Sequence, residues 1–404
     1  MDLSVVLPII GPVVGVAGLT IAILNRRGVT RQQEVSRYRE VRKVVRSRQG
    51  RLGAVAWETA DPAWKAAPVP VLTRPGWILE TPLPLDRVGL RLLPGSEVPD
   101  RSGPSAERAA RLLPRRESNR GRLRYSEALV DIDGLDHLHN GNVYRPVAVE
   151  ADGRGLSIDF IGGRYFDHLD TSEILAFETA AGRGRRFPLR RSYRRSLGDP
   201  FDLHARATSL GVLTLTVIKT DDGARFLMHS RDDNQVVVGS KAMHVVPAGE
   251  FTPASVYLEA DAEDFDIWRT IMREYAEELL DREEAYGKEG SGLHYADEPP
   301  FRELEEARRS GALHVYALGL GLDPLTWKPE LFTVCVFEPG AAERIFQAAV
   351  KRTWEGTVLR GTDGRGLRFD AATVRRYSGD PNTRRGASAC LDLAWRHRDV
   401  LGIS

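Results

Sequence analysis

Cysteine is nearly absent from this sequence. Cys335 and Cys390 are the only two in 404 residues, and both stand far apart among apolar neighbours. That excludes a disulfide framework and a cysteine-based metal site, and it reads as two buried, reduced thiols. The common catalytic signatures are missing as well. Residues 198–404 contain no Walker loop, no nucleophile elbow and no HExxH. No nucleic-acid-reading module is present, so no specific nucleic-acid partner is expected. A net charge of +1 conceals an asymmetry: basic residues crowd the first half and the 180–195 region, and acidic residues crowd 257–306. At 404 residues and 42% hydrophobic content, the chain is long enough for two folded units plus additional segments.

What is present begins at the amino terminus. Residues 3–24 carry no charge and are mostly Val, Ile, Leu, Ala and Gly. About 22 helical residues at 1.5 Å each match a hydrocarbon core of roughly 30 Å. Arg26 and Arg27 follow at once, and Asp2, not a basic cluster, precedes the run. This pattern predicts an uncleaved single-pass anchor over residues 1–27 in the cell membrane, in preference to a signal peptide. Lys and Arg dominate residues 26–51, against only Glu34 and Glu40, which keeps that flank and the carboxy-terminal domain in the cytoplasm. Gly11 and Gly15 have the GxxxG spacing that packs two anchors together as a homodimer.

Residues 28–50 read as a basic juxtamembrane helix with a thin stripe of Val35, Val41, Val44 and Val45, either lying along anionic headgroups or acting as a solvated spacer. Residues 51–120, rich in Pro and Arg, read as a partly disordered linker. Residues 121–196 read as a small α+β region, with strands at 143–149 and 156–160 and a helix at 172–181. His137 and His139 sit in its polar loop as exposed residues. The arginine-rich stretch 183–195 is a solvated linker or a phosphate or lipid contact.

The most specific signal lies further on, at Arg273-Glu274-Tyr275-Ala276-Glu277-Glu278. On a helix the three glutamates share one face, where like charges repel. Such a face is either merely solvated or completed by a hard divalent ion held on oxygen ligands. Before it come strand-like runs at 211–218 and 225–230 and a strand ending in the Pro247–Gly249 turn. After it come strands at 312–319 and 331–337 and helices at 341–351 and 388–397.

This order and this hexapeptide resemble a Nudix domain over residues 197–404. The family signature is Gly, five residues, Glu, seven residues, then Arg-Glu-apolar-x-Glu-Glu-x-Gly-apolar. Gly249 matches its opening glycine, and Arg273, Glu274, Tyr275, Glu277 and Glu278 match its second half. The departures are a longer gap after Gly249, Phe265 where a glutamate belongs, and Leu280 where a glycine belongs. The resemblance implies an α+β fold, a Nudix-like α/β/α sandwich with a mixed sheet, here placed behind the single transmembrane helix and the small α+β region. It further implies Mg²⁺- or Mn²⁺-dependent hydrolysis of a nucleoside diphosphate linked to another moiety. Glu274, Glu277 and Glu278 would hold metal, Glu277 and Glu278 would act in catalysis with Arg273 orienting them, and Gly249, Trp327 and Glu330 would line the site of the nucleotide-type ligand. The degenerate first half keeps an alternative open: a catalytically inactive, nucleotide-sensing relative.

Overall fold

The computed structural model describes residues 10–94, 104–118, 121–136, 138–182, 192–231, 242–254, 264–282, 295–346, 352–353, 356–359 and 364–404, with side chains of 10–29 left aside. In chain order the strands are β1 (Ile78–Pro84), β2 (Gly89–Leu92), β3 (Asn142–Ala151), β4 (Leu156–Arg164), β5 (Gly211–Thr220), β6 (Gly223–Phe226) and β7 (Met228–Arg231). They continue with β8 (Ala242–Val245), β9 (Ala248–Glu250), β10 (Leu313–Leu322), β11 (Pro329–Phe337), β12 (Arg352–Thr353), β13 (Gly356–Leu359) and β14 (Leu367–Arg368). A seven-stranded sheet follows the order β1-β10-β11-β5-β6-β14, with β9 joined to β5; β12-β13-β7-β8 and β2-β4-β3 form two smaller sheets.

At the centre of the large sheet β5 and β11 run parallel, Glu330 opposite Gly211 and Phe337 opposite Ile218. Both are near-continuous apolar runs because both of their faces are covered. On one face Val212, Ile218, Leu331, Cys335 and Phe337 pack with the helix Ile267–Leu280, which bears the glutamates and is called the acidic helix below. On the other, Leu213, Leu215, Val217, Phe332, Val334 and Val336 pack against the helix Arg385–Arg396, the rear helix. The acidic helix forms where it does because Ile267, Trp268, Ile271, Met272, Tyr275, Ala276 and Leu279 recur at three- and four-residue intervals. Asp266 caps its start by accepting the Trp268 N–H at 2.8 Å. Its end is turned by Asp281 in the left-handed region, φ 53°, one residue after Leu280. That aspartate takes over the terminating role that a glycine plays elsewhere.

The expected transmembrane architecture is corrected. Among the described residues no helix is long and apolar enough to cross a membrane. Residues 3–9 of the expected anchor lie outside the described residues; from Ile10 onward the chain is helical without a break in assignment to Thr59. Gly11 and Gly15 lie where side chains are not described.

The rest of this long helix packs on the protein through one seam. Tyr38, Val45 and Leu52, seven residues apart, are buried in the protein core. Tyr38 stacks on Phe177 of the helix Ile174–Ala181 at 5.3 Å between ring centroids. Arg42 and Arg46 both reach Asp133, at 2.8 and 3.2 Å. At Arg48 the helix kinks (φ −138°, ψ 23°), and Gly50 then packs directly on the backbone of Pro381 and Asn382. β1, from within 51–120, is an edge strand of the large sheet against β10, and one core cluster includes buried residues from Tyr38 to Val358.

Truncating Leu52 to Ala should therefore cost about 2–4 kcal/mol of stability in urea unfolding. Val55, half exposed on the same helix, should change stability by less than about 0.5 kcal/mol when made Ala. Equal effects would mean that the long helix is not docked through Leu52.

Candidate functional site

The residues that carry the Nudix resemblance converge in space despite their extended spacing. β9 runs antiparallel to the start of β5, with Leu213 opposite Ala248 and Gly211 opposite Glu250. This sets Gly249 directly under the acidic helix. A Cβ at Gly249 would lie 1.7 Å from Glu274 Oε1, so only glycine lets that side chain cross the strand. The next turn of the helix ties down the same strand: the Ala248 N–H donates to Glu278 Oε2 at 3.2 Å, and Glu278 is 1% exposed. Arg273 donates to Tyr295 Oη at 2.7 Å and to the Thr252 carbonyl at 2.6 Å, and it faces Asp264 at 3.9 Å. Its guanidinium pins the loop leaving β9.

Glu274 and Glu277 are half-buried, and they are the two carboxylates of the motif that reach the open side. Among the described residues no three His, Cys, Asp or Glu side chains gather closely enough to hold a metal. Two carboxylates do not build a resident metal cage. They do suit Mg²⁺, which keeps several waters and is commonly held by one or two carboxylates together with a ligand's phosphates. The position expected to supply another glutamate is Phe265, whose ring is packed 4.9–5.5 Å from Tyr144, Phe160 and Phe251. Nearby Asp266 is the helix cap. Glu259, Asp261 and Glu263, further acids of that gap, lie outside the described residues.

On the opposite face of the sheet lies a cluster the sequence only half revealed. Glu330, Gly211 and Glu250 stand in one row across β11, β5 and β9. Gly211 leaves room for the Lys328 side chain, which crosses it to form an ion pair with Glu250. Around this row stand Glu173, Asp323, Gln49, Arg384 and Arg385. His168 accepts the Ser209 N–H on Nδ1, so Nε2 carries the proton, and that atom faces Glu173 at 3.7 Å. Burial opposes the charge of Glu173, but His168, with Lys328 and Arg384 beyond it, holds its carboxyl down at about 2. Glu330 goes the other way. Burial, and after it the Asp323 carboxylate, push its carboxyl up to about 8.

Trp327, expected to line the ligand site, lies in the core. It is 2% exposed, lies under Arg194 and Arg206 at 5.0 and 5.9 Å, and meets Trp64 edge-on at 5.7 Å. Its carbonyl accepts a bond from Arg206 at 2.8 Å, and its φ of 59° turns the chain between β10 and β11. The structure thus brings Gly249, Arg273, Glu274, Glu277 and Glu278 together on one face, puts Glu330 on the other, and sets Trp327 within the core as a strut. Sequence reasoning missed Glu250, Lys328 and Glu173. The signal for one of them was present: Lys328 stands two residues before Glu330 at the start of a strand, and alternate strand residues share a face.

Two outcomes follow from this geometry. Gly249→Ala should destabilise the chain, and adding Glu274→Ala should recover part of the loss, with a coupling of roughly 1–3 kcal/mol in a double-mutant cycle. Additive effects would show that the two groups do not touch. The second outcome is a pH dependence. Because the Glu330 carboxyl is raised in the folded chain, its contribution to stability is complete below about pH 4.5 and is lost as the pH rises through about 8. Urea midpoints of Glu330→Gln, compared with the unaltered chain across pH 5–9, should fall less steeply. Parallel curves would mean that Glu330 titrates normally.

Comparison with protein-family models and with curated proteins gave no match to this chain.

Proposed function

We propose that this chain is a Nudix-like protein that binds a nucleoside-diphosphate-type ligand together with its Mg²⁺ ion, and that it acts as a sensor and not as an efficient hydrolase. The observation carrying the binding part is Glu274 lying across Gly249: a strand glycine and a glutamate helix, distant in sequence, form one junction. Glu274 and Glu277 would hold the ion, and the ion would neutralise the ligand's phosphates.

The sensor part rests on how the other residues are used. Hydrolysis asks for a carboxylate that can ligate metal or take a proton from water at the reacting phosphorus. Glu278 is buried and accepts a backbone N–H from β9, Arg273 is spent on Thr252, Tyr295 and Asp264, and position 265 is an aromatic core residue. These groups couple the acidic helix to β9 and its loop. Ligand occupancy at Glu274 would therefore be felt at β9 and, through β5, in the large sheet.

The full-length protein melted with ADP or UDP should gain a few degrees in Tm only when Mg²⁺ is also present, since a ligand of the folded state stabilises it by mass action. The Glu274→Gln/Glu277→Gln variant should lose that gain. If no nucleoside diphosphate shifts Tm under any condition, the binding reading is wrong. Multiple-turnover hydrolysis that disappears in Glu278→Gln would replace the sensor with an enzyme.

A further inference from the structure

The long helix sorts its charges by the side on which they stand. Residues 30–51 hold eight Lys or Arg and only two acids, Glu34 and Glu40. The cations that turn toward the protein are engaged. Arg42 and Arg46 share Asp133, and Arg31 pairs with Glu117 at 3.2 Å and donates to the Arg115 carbonyl. Glu34 is also used inward, where it accepts the Arg115 N–H at 3.0 Å and faces Arg122 at 3.3 Å. The outward side is different. Arg37, Arg39, Lys43, Arg48 and Arg51 are exposed, and among the described residues their side chains make no ion pair or hydrogen bond. Glu40 is the one acid of the stretch that stands exposed with them. Burial of Tyr38, Val45 and Leu52 in the core fixes the helix, so its cationic face needs no ordering before it meets a partner.

We infer that the exposed face of the long helix, from Arg37 to Arg51, docks on an anionic lipid surface. Charge complementarity sets the class, since Lys and Arg side chains close to such a surface are drawn to its negative potential. The rest of the helix favours lipid over other polyanions. The same helix reaches back to Ile10, and residues 10–25 carry no charge. Attachment of a surface helix grows with the apolar area it buries and with its attraction to anionic lipids. This helix supplies both elements in one piece, and neither requires it to cross the bilayer. Nucleic acid fits the face less well. Proteins that hold single strands add aromatic platforms to their cations, and Tyr38, the only aromatic between residues 30 and 51, is 1% exposed. No residue of this face belongs to the junction of Gly249 and Glu274, so the inference is independent of the nucleotide reading.

The test is flotation of the full-length chain with vesicles of phosphatidylcholine alone and of phosphatidylcholine with phosphatidylserine. At low salt the anionic vesicles should bind the chain about tenfold more strongly, and that gain should fade as the salt concentration rises. Arg37→Gln/Arg39→Gln/Lys43→Gln should lose most of the gain and keep the Tm of the unaltered chain, because all three side chains are exposed. Equal binding to both vesicles, or a gain undiminished in the variant, would overturn the proposal and leave the uncharged run as the whole of the attachment. Failure to bind either vesicle would overturn it as well. Capture by duplex DNA without any preference for the anionic vesicles would reassign the face to nucleic acid.

Discussion

Two parallel strands buried on both faces, β5 and β11, are the constraint from which the rest of the structure follows. Every side chain of β11 is buried, as are the first eight of β5. Neither strand can face water, so each face must be roofed, and the acidic and rear helices supply the two roofs. The polar ends of the strands then have to be satisfied inside the protein, because unpaired buried polar groups are costly. The Glu250–Lys328 pair over Gly211 and the carboxyl of Glu330 are products of that requirement, set where the apolar run begins. The long helix and the loop before the rear helix close over them.

The same constraint explains why the motif glutamates do such different work. An acidic helix that roofs a buried sheet must turn its apolar residues inward, and the sequence Arg-Glu-Tyr-Ala-Glu-Glu then distributes its charges by angle. Glu278 falls on the inner edge and bonds the backbone of β9; Glu274 lies across a glycine; Glu277 stays toward the open side. Identity of residue type along a motif therefore says less about chemistry than the depth at which each residue ends up.

The parts of the fold that were legible in the sequence were those with strong periodicity. The runs at 211–218 and 331–337 and the acidic helix stand where their patterns put them, because a doubly buried strand and a one-sided helix leave distinct hydrophobic signatures, whereas Gly249, read as part of a turn, lies within β9. The burial of Trp327 was not legible, since an aromatic between a Pro-containing turn and a strand looks the same whether it faces a ligand or a core. The role of the long helix was hidden for a related reason. Its buried seam is Tyr38, Val45 and Leu52, and a tyrosine followed by arginines reads as a polar surface until Phe177 and Asp133 are placed beside it.

Gln49 and Arg384 meet in a hydrogen bond of 2.7 Å although 335 residues separate them. The contact joins the kink of the long helix to the loop before the rear helix. During folding β5 and β11 can pair and gain the acidic helix on one side while their other side still lacks its cover. Until the rear helix docks, the face of Leu213, Leu215, Phe332 and Val334 is open apolar surface, and Gly50 of the long helix has no Pro381–Asn382 backbone on which to rest. Contacts of such sequence separation form slowly and leave sticky intermediates exposed meanwhile. Docking of the rear helix thus decides when the folding chain stops being vulnerable to aggregation.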